Sequence, residues 1–201
     1  QMKYSDKLIG HILATLTIIV WGTTFISSKI LLGVFTPLQV MIMRFVIAYI
    51  TLLLINHKVQ KTTWREELNF FLLAILGTTL YFLFENKALT LTLASNVSII
   101  LSVAPIITAI LAHFFTKDEK ISKRLIQGSI LAFAGVALVI FNGTIILKLS
   151  PIGDILSFGA ALCWAIYAII LKKQVSKYDS VYLTRKVLFY SLITTIPLLL
   201  V

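Results

Sequence analysis

Two ionisable residues stand inside stretches that are otherwise oily. Arg44, in "QVMIMRFVIAYI", lies seven residues past Pro37, and Glu85, in "YFLFENKALT", lies seven before Thr92. At about 1.5 Å of rise per residue, each is roughly 10 Å from the near end of its segment, so the two can meet. Such a pair can exchange its internal contact for a substrate carboxylate or ammonium, which makes Glu85 a candidate for proton coupling. Held static, the same pair would fix helix register instead.

Residues with hydroxyl or aromatic side chains recur near them at helical spacing. Thr17, Trp21, Thr24 and Ser28 form one stripe; Ala74, Thr78, Tyr81, Glu85 and Ala88 a second; Ser95, Ser98, Ser102, Pro105 and Ala109 a third; Gly153, Ser157, Ala161, Ala165 and Ala168 a fourth. Each stripe is expected to face inward. Small residues also let membrane helices pack closely, so the Ser and Ala positions serve packing as readily as binding. Trp21, Tyr81 and Glu85 are too large or too polar to be packing gaps. The candidate substrate-binding set is Trp21, Thr24, Ser28, Arg44, Tyr81, Glu85, Ser98, Ser102 and Trp164. Pro105 removes a backbone donor mid-segment and is the candidate hinge. Lys29, Lys87 and Lys172 are expected to snorkel as anchors, and Arg185 to anchor at the interface.

The elements that must position these residues follow from composition. Hydrophobic residues make up 59% of the chain and charged ones 13%, which a water-soluble domain hardly tolerates. A spanning helix needs about 20 mostly apolar residues. Such runs occur at 8–32, 38–55, 69–91, 95–115, 125–142, 152–172 and 181–201, predicting an all-α, polytopic transmembrane helix bundle with about seven helices present. The runs lack the alternation of a barrel strand. The first is too long for a signal-peptide core and has no small-residue cleavage site, so it is read as retained. The fifth run, with Gly128, Ala132 and Gly135 on one face, reads as scaffold.

Orientation follows from the basic residues, which cytoplasmic loops collect. Lys3 and Lys7, then Lys58, Lys61 and Arg65, then Lys117, Lys120, Lys123 and Arg124, then Lys172, Lys173 and Lys177 all fall on one side, whereas the opposite loops hold Lys148 alone. The N-terminus is therefore expected in the cytoplasm, in a multi-pass protein of the cell's inner (plasma) membrane. The net charge of +10 is explained by this topology and by contact with an anionic leaflet; basic residues scattered among short loops give no footprint for nucleic acid.

Cys163 is the single cysteine, so it has no internal disulfide partner, and it reads as packing. His11, His57 and His113 are too far apart to suggest a metal site. No phosphate loop, Ser/His/Asp set or zincin motif is present. Neither cofactor nor metal is expected, and an enzymatic reading has no nucleophile and base at reachable spacing. Gln1 precedes Met2 and the chain stops at Val201 within an apolar run, which suggests a piece of a longer product.

Sliding the chain on itself so that Gly10 meets Gly153 aligns "GHILATLTIIVWGTTFISSK" with "GDILSFGAALCWAIYAIILK", with Gly, Ile, Leu, Trp and Lys coinciding. After a two-residue adjustment, Val40 and Arg44 meet Val181 and Arg185. The shift spans five helices, an odd number, so the second copy enters the membrane from the opposite side, the inverted-repeat arrangement of secondary transporters.

With "WGTTFISSK", the Arg of "MRFVIAYI", the run "ENKALTLTLASNVSIILSVAPIITAILAHFFTKDEKIS", "QGSILAFAGVALVIF" and "CWAIYAIILKK", the chain resembles the EamA-type transporters of the drug/metabolite transporter superfamily. The resemblance covers essentially the whole chain. It implies two inverted five-helix repeats, ten helices in all, around a central cavity that exports amino acids or other small metabolites. Residues 8–142 would be the first repeat and 152–201 the incomplete start of the second. The expected partners are an amino acid or related metabolite and the lipid bilayer; homo-oligomers are compatible with this reading. The alternative is a non-transporting membrane module, or a fragment that needs a partner for its missing helices. A seven-helix receptor would place the N-terminus outside, against the charge pattern.

Overall fold

The computed structural model describes residues 4–116, 122–141 and 150–200. Among them seven helical elements follow one another: α1 (Tyr4–Leu31), α2 (Pro37–Ile55), α3 (Trp64–Leu91), α4 (Ala94–Phe115), α5 (Lys123–Phe141), α6 (Pro151–Val175) and α7 (Ser180–Thr195). A 3-10 segment, Ile196–Leu200, follows α7. The protein is an all-helical, polytopic membrane protein. Five helices are long and apolar enough to span a bilayer among the described residues: Leu8–Leu31, Pro37–Ile55, Trp64–Leu91, Ala94–Phe115 and Pro151–Val175. Lys3, Lys117, Lys120 and Lys148, which carry part of the orientation argument, lie outside the described residues.

Local chemistry sets the ends. Thr36 caps α2 in a capping box with Gln39, ahead of Pro37 at the first turn, where its missing N–H costs nothing. The third helix starts five residues before the apolar run at 69, because Thr63 and Glu66 form a capping box that adds a polar first turn. The last helix stops at Thr195 rather than running to 201; Pro197 follows and cannot donate to a continuing ladder.

Two helices are interrupted where they cross the bundle. α3 widens into a π turn over Ile75–Leu80. α4 breaks between Leu101 and Ala104; Val103 N–H bonds only the Ile100 carbonyl, and the ladder resumes with Ile106 and Ile107 both donating to Val103 O. Pro105, lacking an N–H for the Leu101 carbonyl, accounts for the break.

Among the described residues packing gathers into three clusters. Phe70, Leu73, Ala74, Tyr178, Tyr182, Leu183 and Val187 join α3, α7 and the connection before α7. Met41, Phe45 and Leu188 join α2 to α7. Ala88, Leu89 and Val97 lie between α3 and α4, with Phe25 and Leu32 against them. Asn56, at the end of α2, reaches Asp179, at the start of α7, so those two helices run antiparallel. The N-terminal part of α1 presents Ile9, Ile12, Leu16 and Ile19 to the surroundings, as suits a lipid-facing helix.

Candidate functional site

An aromatic and ionic cluster occupies the place where α1, α2, α3 and α6 converge. The Trp21 and Trp164 rings meet edge to face with centroids 5.6 Å apart. Trp164 also contacts Tyr81 at 5.2 Å and Tyr167 at 5.2 Å, and Tyr81 contacts Phe82 at 4.9 Å. The helices explain this geometry: Trp164 and Tyr167 are three apart on α6, and Tyr81 and Glu85 four apart on α3, so each pair shares a face.

Glu85 is buried at 3% exposure, one helical turn after Tyr81 on the same face of α3. The Arg44 guanidinium acts on both electrostatically without forming a salt bridge to Glu85. Instead its Nη1 donates to Ser28 Oγ at 3.4 Å, and its Cζ lies 4.7 Å from the centre of the Phe82 ring. The ring face supplies the negative potential that a half-buried cation needs. The direct Arg44 to Glu85 contact expected from their matched depth is not formed, and Arg44 takes Ser28 and Phe82 instead. That leaves a guanidinium held by neutral groups and a buried carboxyl group in one cluster.

The other candidate residues fall into two groups. Ser28 is buried and at the cluster. Trp21 is half exposed, and the Thr24 hydroxyl donates to the Trp21 carbonyl at 2.7 Å, so Thr24 spends its hydrogen on its own helix. Thr17 does the same to Leu13. On α4, Ser98 donates to Ser95 O at 2.8 Å and Ser102 to Ile99 O at 2.6 Å, so both spend their hydrogens within that helix. Pro105 lies at the break in α4.

Sequence reasoning missed several participants. Phe82 and Tyr167 were legible in principle, one beside Tyr81 and the other three residues after Trp164. The hydroxyl pairs Thr78–Ser191 at 2.5 Å and Thr79–Thr194 at 2.7 Å, which tie the π turn of α3 to α7, left no local signal. Lys29 does not simply snorkel: it donates to the Leu89 and Thr92 carbonyls and so satisfies the end of α3. Arg185, expected at the interface, is buried and donates to the Asn56 and Lys58 carbonyls beyond α2, at 2.5 Å for Lys58. At the same end, Glu66 pairs with Lys177, and Glu67 with Lys186 at 2.9 Å and with the Tyr190 hydroxyl. Among the described residues no group of three His, Cys, Asp or Glu converges.

The family model for the EamA-like transporter family matches residues 8–141. The chain belongs to the EamA-like transporter family. This EamA-like chain is 31% identical over 192 residues to an uncharacterized transporter of Archaeoglobus fulgidus, a match covering 93% of the chain and 65% of the relative. It is also 31% identical over 162 residues to the uncharacterized transporter YyaM of Bacillus subtilis, covering 77% of the chain and 52% of the relative. To an uncharacterized transporter of Clostridium kluyveri it is 30% identical over 204 residues, covering 96% of the chain and 65% of the relative. The EamA-like chain therefore spans about half to two-thirds of the length of these relatives. No solved structure matches it.

Proposed function

We propose that the protein is a secondary transporter that exports small amphipathic metabolites, amino acids among them, by alternating access, and that the aromatic and ionic cluster is its substrate site. The observation that carries this reading is the cluster that gathers the Arg44 guanidinium and the buried Glu85 carboxyl group with Trp21, Trp164, Tyr81 and Phe82. Rings bury the apolar part of a ligand while two fixed charges take its carboxylate and ammonium. No covalent change to the substrate is needed, so the activity is transport and not catalysis. Glu85 is the group that would take up a proton and couple it to export.

The fold supports the same proposal. Helices that correspond in the internal repeat meet: α2 packs on α7 through Met41, Phe45 and Leu188, and α1 touches α6 through the Trp21 and Trp164 rings. Contacts between equivalents are what an inverted repeat with an axis in the membrane plane would produce. Residues 8–142 and 152–201 are then the first repeat and the start of the second, Pro105 a hinge, and the N-terminus cytoplasmic in the inner membrane.

Proteoliposomes containing the full-length protein that carries this chain test the reading. With an imposed proton gradient, uptake or counterflow of labelled amino acids is expected in the parent and is expected to be lost in Glu85→Gln. Equal activity of the two proteins would remove the coupling role of Glu85, and no movement of any amphipathic probe by the parent would remove the transport proposal.

A further inference from the structure

Next to the aromatic cluster, between α3, α6 and α7, lies a cavity of about 220 Å³. Thr78, Tyr167, Leu171, Ser180, Thr184 and Val187 help to line it, and none of its lining residues is charged. It reaches the first turn of α7 through Ser180, the end of the bundle where Glu66 meets Lys177. Tyr167 belongs to both places. It lines the cavity, and its ring stacks on Trp164, the indole that touches Tyr81 and Trp21.

Tyr167 holds that position because Gly77 has no side chain. A Cβ at Gly77 would fall 2.1 Å from Cδ2, 2.4 Å from Cε2 and 2.6 Å from Cγ of the Tyr167 ring. These distances are far inside van der Waals contact, so the ring would have to leave. The backbone cannot easily retreat instead. Gly77 lies in the π turn Ile75–Leu80, and the next two residues, Thr78 and Thr79, are tied by their hydroxyls to Ser191 and Thr194 on α7. π turns of this kind place backbone and side chains where a regular helix would not.

We propose that Tyr167, seated on Gly77, is the partition between the inner cavity and the aromatic cluster, and that Gly77 is a positioning residue that sets the orientation of Trp164 and with it substrate selection. The uncharged cavity suits the apolar part of an amphipathic molecule on its way to Arg44 and Glu85. The role in selection rests on the transporter reading; the chain of contacts from Gly77 through Tyr167 to Trp164 does not.

Trp164 reports on the arrangement directly. In a Trp21→Phe, Trp64→Phe background it is the sole indole of these 201 residues. Its near-UV circular dichroism and acrylamide quenching are measured in purified protein for Gly77→Ala, Tyr167→Ala and the double variant. Each single variant is expected to lose Trp164 band intensity and to gain quenching. The double variant is expected to match Tyr167→Ala alone, because without the ring the added methyl displaces nothing. A folded Gly77→Ala with the parent's Trp164 signals overturns the inference, as does a double variant whose changes are the sum of the singles. Should Gly77→Ala fail to fold, unchanged quenching in Tyr167→Ala overturns the partition. In the transport arm, Gly77→Ala is expected to raise KM more than it lowers kcat, and a fall in kcat at constant KM overturns the role in selection. Parent protein that moves no amphipathic probe, with the spectra as expected, sinks the transporter reading and leaves the positioning intact.

Discussion

Trp21 and Trp164 stand edge to face at 5.6 Å with their planes at 90°, and they occupy the same position when the chain is aligned on itself with Gly10 over Gly153. One residue type at the two aligned positions therefore supplies two neighbouring walls of the candidate site. Tyr81 and Tyr167 each touch the second of these rings, so Trp164 is the common member.

If both indoles contact substrate, Trp21→Ala and Trp164→Ala each raise KM by about 2- to 10-fold, the worth of an edge-to-face aromatic contact. The double variant is expected to show less than the product of the two effects, because each loss already disrupts the shared contact. Initial-rate measurements on the four proteins give the answer, and independent effects would separate Trp21 from the site.

Glu85→Gln is expected to abolish proton-coupled export while the protein stays in the membrane. Arg44→Ala is expected to cost more stability than Glu85→Gln, because it leaves the buried Glu85 carboxyl without the cation of its cluster. Thermal unfolding in detergent ranks the variants; a Glu85→Gln protein less stable than Arg44→Ala would contradict the placement of charge described above. Exchanging the two residues should restore folding if the pair is static, yet leave export dead if Glu85 must act from its own face of α3.

Two basic residues near the α2 end test burial against exposure. Arg185 is buried and bonds two carbonyls, so Arg185→Ala should destabilise by about 1.5–3 kcal/mol, the range for hydrogen bonds to a charged group. The Lys177 side chain is 60% exposed in its pair with Glu66, so Lys177→Ala should cost about 0–1 kcal/mol. Denaturant unfolding followed by Trp fluorescence reads both, and equal costs would mean that Arg185 is not held as described.

The orientation is checked with a reporter active only in the cytoplasm. Fusions after Lys61 and after Lys120 are expected to be active and a fusion after Lys148 silent, as the distribution of Lys and Arg requires. The reverse pattern would place Arg44 and Glu85 in the opposite half of the membrane.

What the sequence determined by itself is whatever a sum over neighbouring residues decides. Oily runs at 38–55 and 95–115 become α2 and α4 because burial of apolar side chains and backbone hydrogen bonding inside lipid are satisfied locally by a helix. Pro105 marked the break in α4 for the same reason, since a missing N–H acts on its own turn. The same local periodicity put Tyr81 and Glu85 on one face. Tertiary structure alone decided which partner each polar group meets. Arg44 rests on Ser28 and Phe82, Arg185 reaches back to carbonyls beyond α2, and Gly77 makes room for a ring ninety residues away in the chain. Helix rotation and register are set by packing between segments far apart in sequence, and no residue's own type carries that information.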